Sequence, residues 1–396
     1  MSARKFNAKF FNDEAFGKYE GTVPKPRINA LVSSGALGSD ASIEEAFAGN
    51  VGLDQATVFM FGRTKGFDQK YNGVDDIEAS GMGSYKRSVK VFRQAGAWTE
   101  YDFTYDVTNG VDFLDQMAQQ ISGHKEDLVQ DLMMSELDGI FGMSAGAENL
   151  AFVDKHTFDI TDSANPSVGA VTMNTALQRA CGDQRSKFAL GCFHSKIVAD
   201  LENINAVEYM KYTDMQGITR DMSMGTWNGK KIMETDIMPV YAAGTYKKVA
   251  QGVEGALEIV ASGASDGQVN KADVTAAGTM FGYVAKAGDY VKSYDKDAYV
   301  SYVLGQGAFG YKDIGAKVPY EAERSALTKG GQDTLISRVG YLMTPNGFSW
   351  EPSAYIGDPQ LADFADGANW TLAKNDDGTQ FFPHKVVPIA RIISLA

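Results

Sequence analysis

A chain of 396 residues suits two or three compact units better than one small core. Its 50 acidic against 37 basic residues give a net charge of −13, which argues against a basic face for gripping phosphate backbones. A charged fraction of 22% beside 44% apolar residues excludes wholesale disorder, and 42 glycines against 10 prolines favour turn-rich β structure. No apolar run approaches the roughly 18 residues that a membrane span needs. The opening MSARKFNAKFFNDEAF holds no apolar stretch of signal-peptide length, so secretion by that route is not expected.

Residues 1–54 read as an arm with one or two short helices. Phe6, Phe10, Phe11 and Phe16 are scattered through it, and Asp40 in SDASIEEAF is a candidate N-cap. From 55 to 108 the alternation in SVKVF and YDFTY predicts two long strands around a glycine-rich tip marked by Asn72-Gly73 and Gly81-Met82-Gly83. Such a hairpin is marginal alone in water and is expected to pack on another subunit. A long helix follows over 112–141, with Leu114, Met117, Ile121, Leu128, Leu132 and Ile140 on one stripe that Lys125 interrupts. One stripe implies a beam packed on one side, with a coiled coil as the alternative.

Next comes a helix–strand–helix unit, VTMNTALQRACGD, KFALGCFHS and SKIVADLENINAVEYM, whose middle piece suits a buried strand. TWNGKKIMETDIMPV predicts a hairpin turning at Asn228-Gly229. Residues 243–296 read as a small β-rich insertion, and three further strand-like runs end with HKVVPIARIISL. No repeat at a fixed period is visible.

The chemical motifs fail on context. Gly305-Gln306-Gly307-Ala308-Phe309-Gly310 matches GxGxxG, but Gly315 and Pro319 oppose the helix a dinucleotide site requires. GxSxG occurs at 142–146 and 263–267, and neither lies between a strand and a helix start. Cys181 and Cys192, eleven residues apart, have only His194 nearby, which is too few ligands for structural zinc; two reduced core thiols is the simpler reading. His124, His156, His194 and His384 are unpaired in sequence. Asn369-Trp370-Thr371 is a sequon only by its letters, and Asn375-Asp376-Asp377-Gly378 reads as a turn. No catalytic, cofactor-binding or metal-ligating constellation emerges, so no enzyme activity and no cofactor are expected.

The order of arm, β extension, beam helix, mixed domain with insertion, and return strand resembles the major capsid proteins of tailed bacteriophages, the Hong Kong 97-type fold. The carriers are LVSSGALGSD, KFALGCFHSKIVADLENI, TWNGKKIMETDIMPV, and the segment holding Glu323-Arg324, Gly330-Gly331-Gln332-Asp333, Arg338, Pro345-Asn346-Gly347-Phe348-Ser349-Trp350 and Asn369-Trp370. The resemblance implies an α+β Hong Kong 97-like fold. In it, 1–54 is the N-terminal arm and 55–108 the E-loop across a neighbour. Residues 109–165 are the P-domain with its spine helix, 166–315 the A-domain including the insertion, and 316–396 the return to the P-domain.

It also implies a structural protein that self-assembles into hexamers and pentamers of an icosahedral head, built in the host cytoplasm around double-stranded DNA held non-specifically. Its acidity would oppose adhesion to that DNA. A separate scaffolding protein is expected, because the E-loop begins near residue 55 with no scaffolding extension before it. A portal protein and an outer cement protein are further implied partners. Phe67, Tyr71, Lys86 and Lys90 are the expected inter-subunit contacts. The family namesake's lysine–asparagine crosslink could use Lys65, Lys70, Lys86 or Lys90, but most relatives lack it and it is not expected here. An encapsulin-like nanocompartment shell, an enzyme without a recognisable motif and a β-rich binding protein are the alternatives.

Overall fold

The computed structural model describes residues 16, 25–47, 54–62, 83–101, 113–213 and 219–396. They form an α+β chain of two compact units. One comprises Met1–Ser33, Leu37–Leu137 and Phe309–Phe382, the other Ser34–Ala36, Asp138–Ala308 and Pro383–Ala396.

The first unit is organised on one strand, Ser84–Tyr101, whose 18 residues extend about 60 Å. Its first half pairs antiparallel with Gln55–Phe61, from Gln55 opposite Lys90 to Phe61 opposite Ser84. Its second half pairs with Gln332–Pro345, from Leu342 opposite Val91 to Gln332 opposite Tyr101. The outer half of the predicted hairpin is therefore one edge of a larger sheet, completed by Phe309–Asp313, Tyr320–Ser325 and Leu37–Gly38.

Helix Ala41–Ala46 covers one face of that edge. Asp40 caps it, accepting from Ser42 N at 3.0 Å, and Ile43 and Phe47 bury against Val58, Val89, Val91 and Leu342. The strand Phe348–Trp350 pairs with Trp370–Leu372 and sets the Trp350 ring tilted against Phe364 at 4.8 Å and edge-on to Trp370 at 5.2 Å. Trp370 donates its indole N–H to the Phe364 carbonyl at 2.7 Å, which satisfies a polar atom inside an aromatic cluster.

The long helix runs Phe113–Phe141. Met117, Ile121, Leu128, Leu132 and Ile140 are buried as the stripe predicts, and His124 is exposed. One-sided packing does not hold. Val129, Met133, Met134 and Leu137 are buried too, so from Leu128 onward the helix presents more than one covered face. Glu136 lies wholly buried there, and burial pushes its carboxyl well above the usual carboxylate range.

The second unit is built on a sheet ordered Thr157–Asp159, Ile389–Leu395, Ala298–Gly305, Phe188–Phe193, Lys230–Glu234, Thr219–Trp227 and Glu208–Thr213. Every residue of Ala298–Gly305 is buried, and Phe188–Phe193 beside it is almost as dry, as its apolar run predicts. Helices Thr172–Cys181 and Ser195–Asn203 bring Met173, Leu177, Ile197 and Leu201 to the same core. Asn228 and Gly229, at φ 50° and 74°, make the tight turn between Thr219–Trp227 and Lys230–Glu234. Both central residues need positive φ, which is why that pair of residue types serves.

The insertion carries its own sheet, ordered Tyr246–Val249, Tyr290–Ser293, Leu257–Val260 and Gln268–Asn270, over a core of Ile259, Val269, Val274, Ala285 and Val291. The sequence reading missed its helix, Lys271–Ala277. Asp273 in the first turn, two alanines at the end and Gly278 at φ 89° beyond them are the local signals for it.

The two ends of the insertion meet: Gly244 N donates to Tyr294 O at 2.8 Å, and Ala243 N to Asp297 Oδ1 at 2.8 Å. Lys247, between Asp159 at 2.5 Å and Asp162 at 3.2 Å, and Lys292, 2.8 Å from Asp162, tie it down. Replacing residues 245–293 by two glycines is therefore expected to leave a cooperative thermal melt, since the ends already touch and no long loop has to be closed. Loss of that melt in circular dichroism would show that the body depends on the insertion.

Candidate assembly surface

Gln55–Phe61 is an outer strand of its sheet among the described residues, and alternation divides its side chains between two faces. Ala56 and Val58 point into the core under helix Ala41–Ala46. Thr57, Phe59 and Phe61 take the other face, where Phe59 is 51% and Phe61 72% exposed. Two adjacent exposed phenylalanines on an outer strand are an unusual liability for a chain that stays alone. Lys86, directly opposite Phe59, holds its ammonium 5.9 Å from that ring and also pairs with Asp376.

The adjoining stretch of Ser84–Tyr101 is anchored inward. Arg87 is 1% exposed and pairs with Asp40, while its Nε and Nη1 find no hydrogen-bond partner among the described residues. Burial lowers the Arg87 pKa from its usual value. Burial alone would raise that of Asp40, but the Ser42 hydrogen bond and the Arg87 charge outweigh it and hold the carboxyl low. Lys90 is buried as well, paired with Asp54 and placed 4.8 Å from the Tyr355 ring centroid.

Of the four expected contact residues, Lys86 is therefore partly exposed beside the phenylalanine face and Lys90 is engaged within its own chain. Phe67 and Tyr71 lie outside the described residues, as do Lys65 and Lys70. Phe59 and Phe61 were missed by the sequence reading. Their signal was present in the alternation of QATVFMF, where apolar residues occupy both faces.

Over 345 residues the chain is 22% identical to the major capsid protein of Bacillus phage SPP1, an alignment covering 87% of this chain and 86% of that one. The chain is similar to that major capsid protein over most of its length. No protein-family profile matches it. Among solved structures, the cyanophage Pam1 capsid is similar at a TM-score of 0.45 and 10% identity, covering 87% of this chain and 85% of that one. The capsid of Helicobacter pylori bacteriophage KHP30 is similar at 0.43 and 10% identity, covering 91% and 86%.

The remaining motif residues of the chain occupy structural places. The GxGxxG stretch ends the strand Ala298–Gly305, turns at Gly307 with φ 68°, and enters another strand, Phe309–Asp313, with no helix between. Ser265, in the second GxSxG, bonds Gln268 Oε1 at 2.8 Å within its own turn. Cys181 and Cys192 are buried free thiols, pushed up by burial to about 11 and about 12. Asn369 is buried and donates to Asp363 O at 2.9 Å, and Asn375 Oδ1 accepts from Thr379 N at 2.9 Å to close its turn. Among the described residues no group of three or more His, Cys, Asp or Glu gathers at metal-binding range.

Two of the histidines do meet. His156 Nδ1 lies 2.6 Å from the Ile389 carbonyl, which can only accept, so that nitrogen carries the proton. Its Nε2 then accepts from His384 Nδ1 at 3.2 Å, and Phe152 stacks on the ring at 4.4 Å. Burial, with the nearby His384, depresses the His156 pKa to about 4. Burial also lowers that of His384, where Lys385 and Lys155 act in the same direction and Glu148 opposes them.

In the unfolded chain a histidine titrates near about 6.5, so between that pH and about 4 the unfolded state binds more protons. Stability is then fully present above the unfolded value and lost as pH falls through this window, to a total of about 3 kcal/mol. His156→Gln is expected to flatten that part of the profile in urea melts between pH 7.5 and 4.5. An unchanged slope would remove His156 from the account.

Proposed function

We propose that this chain is the major capsid subunit of a tailed phage, a structural protein and not an enzyme, which self-assembles into the hexamers and pentamers of an icosahedral head around double-stranded DNA. The observation that carries the reading is the match to a major capsid protein across most of both chains. The exposed Phe59–Phe61 face agrees with it, since a shell subunit must leave apolar surface for its neighbours.

In this reading 1–54 is the arm and 55–108 the E-loop, with Phe67, Tyr71 and Lys86 meeting a neighbour. Residues 109–165 are the P-domain, 166–315 the A-domain and 316–396 the return to the P-domain. Lys90 contributes by fixing the strand from inside. The partners are other copies of the chain, a separate scaffolding protein, the portal, an outer cement protein, and packaged DNA that the net charge of −13 keeps from adhering. The product belongs in the virion and is assembled in the host cytoplasm. No helix of the described residues is long and apolar enough to cross a membrane.

Negative-stain microscopy of the chain expressed with and without its scaffolding gene product tests the proposal. Shells of phage-head size are expected. Small uniform cages would replace it with the nanocompartment reading, and discrete monomers would remove self-assembly altogether.

A further inference from the structure

Phe188–Phe193 and Lys230–Glu234 run parallel as neighbours, with Leu190 opposite Lys231 and Phe193 opposite Glu234. Their starts therefore lie at one end of the pair and their finishes at the other, and the charges divide the same way. Arg185 and Lys187 stand on the turn entering the first strand, and Lys230 and Lys231 open the second. Glu234 closes the second strand, with Asp236 two residues on.

Arg185 and Lys187 are exposed and Lys230 is half-buried. Lys187 reaches only the amide oxygen of Gln184, at 2.7 Å, and neither Arg185 nor Lys230 pairs with a carboxylate among the described residues. The Lys230 pKa is lowered by burial and then by the Arg185 charge, which places the two cations within reach of each other's field. At the far end Glu234 is exposed with no described partner, while Asp236 accepts from Ser195 N at 3.4 Å and faces His194 at 3.6 Å. Lys230 and Glu234 are about 13 Å apart along the strand, which keeps one end from neutralising the other.

We infer that the cationic end formed by Arg185, Lys187 and Lys230 docks against the acidic end, Glu234 and Asp236, of a second copy of this chain. The inference deepens the capsid reading and rests on it for the occupant. Charge complementarity selects that occupant. The chain as a whole is acidic, with a net charge of −13, and every copy presents a cationic end and an acidic end on the same strand pair. A contact between two different patches is heterologous, the kind that closes rings when its rotation permits.

The test mixes equal amounts of nitrogen-14 and nitrogen-15 chain and applies a zero-length carbodiimide, which joins an amine to a carboxylate only in direct contact. Mass spectrometry is expected to find mixed-label conjugates joining the Lys230 peptide to the Glu234 or Asp236 peptide. Their yield should fall as salt is raised. Arg185→Glu with Lys230→Glu should slow assembly by about tenfold or more, since attraction at each contact becomes repulsion. Adding Glu234→Lys and Asp236→Lys should restore it. Arg185→Gln with Lys230→Gln, at unchanged circular dichroism, guards against misfolding and should show a partial loss.

Shells without mixed-label conjugates would overturn the contact and leave the capsid reading standing. Mixed-label conjugates without shells would do the reverse. Binding of a linear DNA duplex that Arg185→Gln with Lys230→Gln abolishes, with no mixed-label conjugates, would make the partner a nucleic acid and overturn the inference.

Discussion

Changing Phe59 and Phe61 together to serine is expected to abolish closed shells while destabilising the folded chain by only about 1–2 kcal/mol. Phe59 is 51% and Phe61 72% exposed, so less than one full ring of native burial is lost. Val58 between them, which does pack inward, stays in place. The assembly cost runs the other way. Burying such a ring at an interface stabilises by about 1.5–3 kcal/mol, and a symmetric shell repeats each contact around its lattice. Sedimentation velocity and microscopy report the first effect, and thermal melting reports the second. Normal shells from the double variant would remove this face from assembly. A lost cooperative melt would assign the phenylalanines to the fold instead.

Asp40→Ala is expected to destabilise the first unit by about 4–6 kcal/mol, far more than a missing helix cap alone. Asp40 does two things: it caps helix Ala41–Ala46 through Ser42 N, and it neutralises the buried Arg87 guanidinium. Losing a cap costs about 1 kcal/mol. Stranding a buried charge costs about 3–5 kcal/mol; Arg87 is 1% exposed and pairs with no other carboxylate among the described residues. Asp40→Asn separates the two, since its amide oxygen can still accept from Ser42 but carries no charge. It should show most of the loss. Asp40→Ala combined with Arg87→Met should regain much of it, because removing both charges removes the stranded one. Urea melts of the three variants decide the matter, and an Asn variant as stable as the parent would make the cap the whole effect.

These two results draw on different depths of information. The cap at Asp40 was legible because a helix start is written in five consecutive residues, and its partner Ser42 is two positions away. The Asn228-Gly229 turn, the buried strand KFALGCF and the long helix were legible for the same reason: propensity, capping and period act within a few residues. Composition argued against nucleic-acid gripping, and the order of segments suggested a shell subunit.

What required the tertiary structure was everything fixed by contacts distant along the chain. A period-2 pattern shows which residues share a face of Ser84–Tyr101, but not that Gln332–Pro345 supplies the second neighbour, because strand pairing depends on closing a loop of more than 200 residues. His156 and His384 are separated by 228 positions, and no local pattern records that one proton lies between them. The long helix carried one clear apolar stripe, yet Met134 and Leu137 are buried off it, since what surrounds a helix is set by other segments. Lys90 looked like an exposed strand lysine until Asp54 and Tyr355 closed over it. Sequence determined the elements and their order; the burial of charge, and so which residues remain free to meet another copy, was decided by packing.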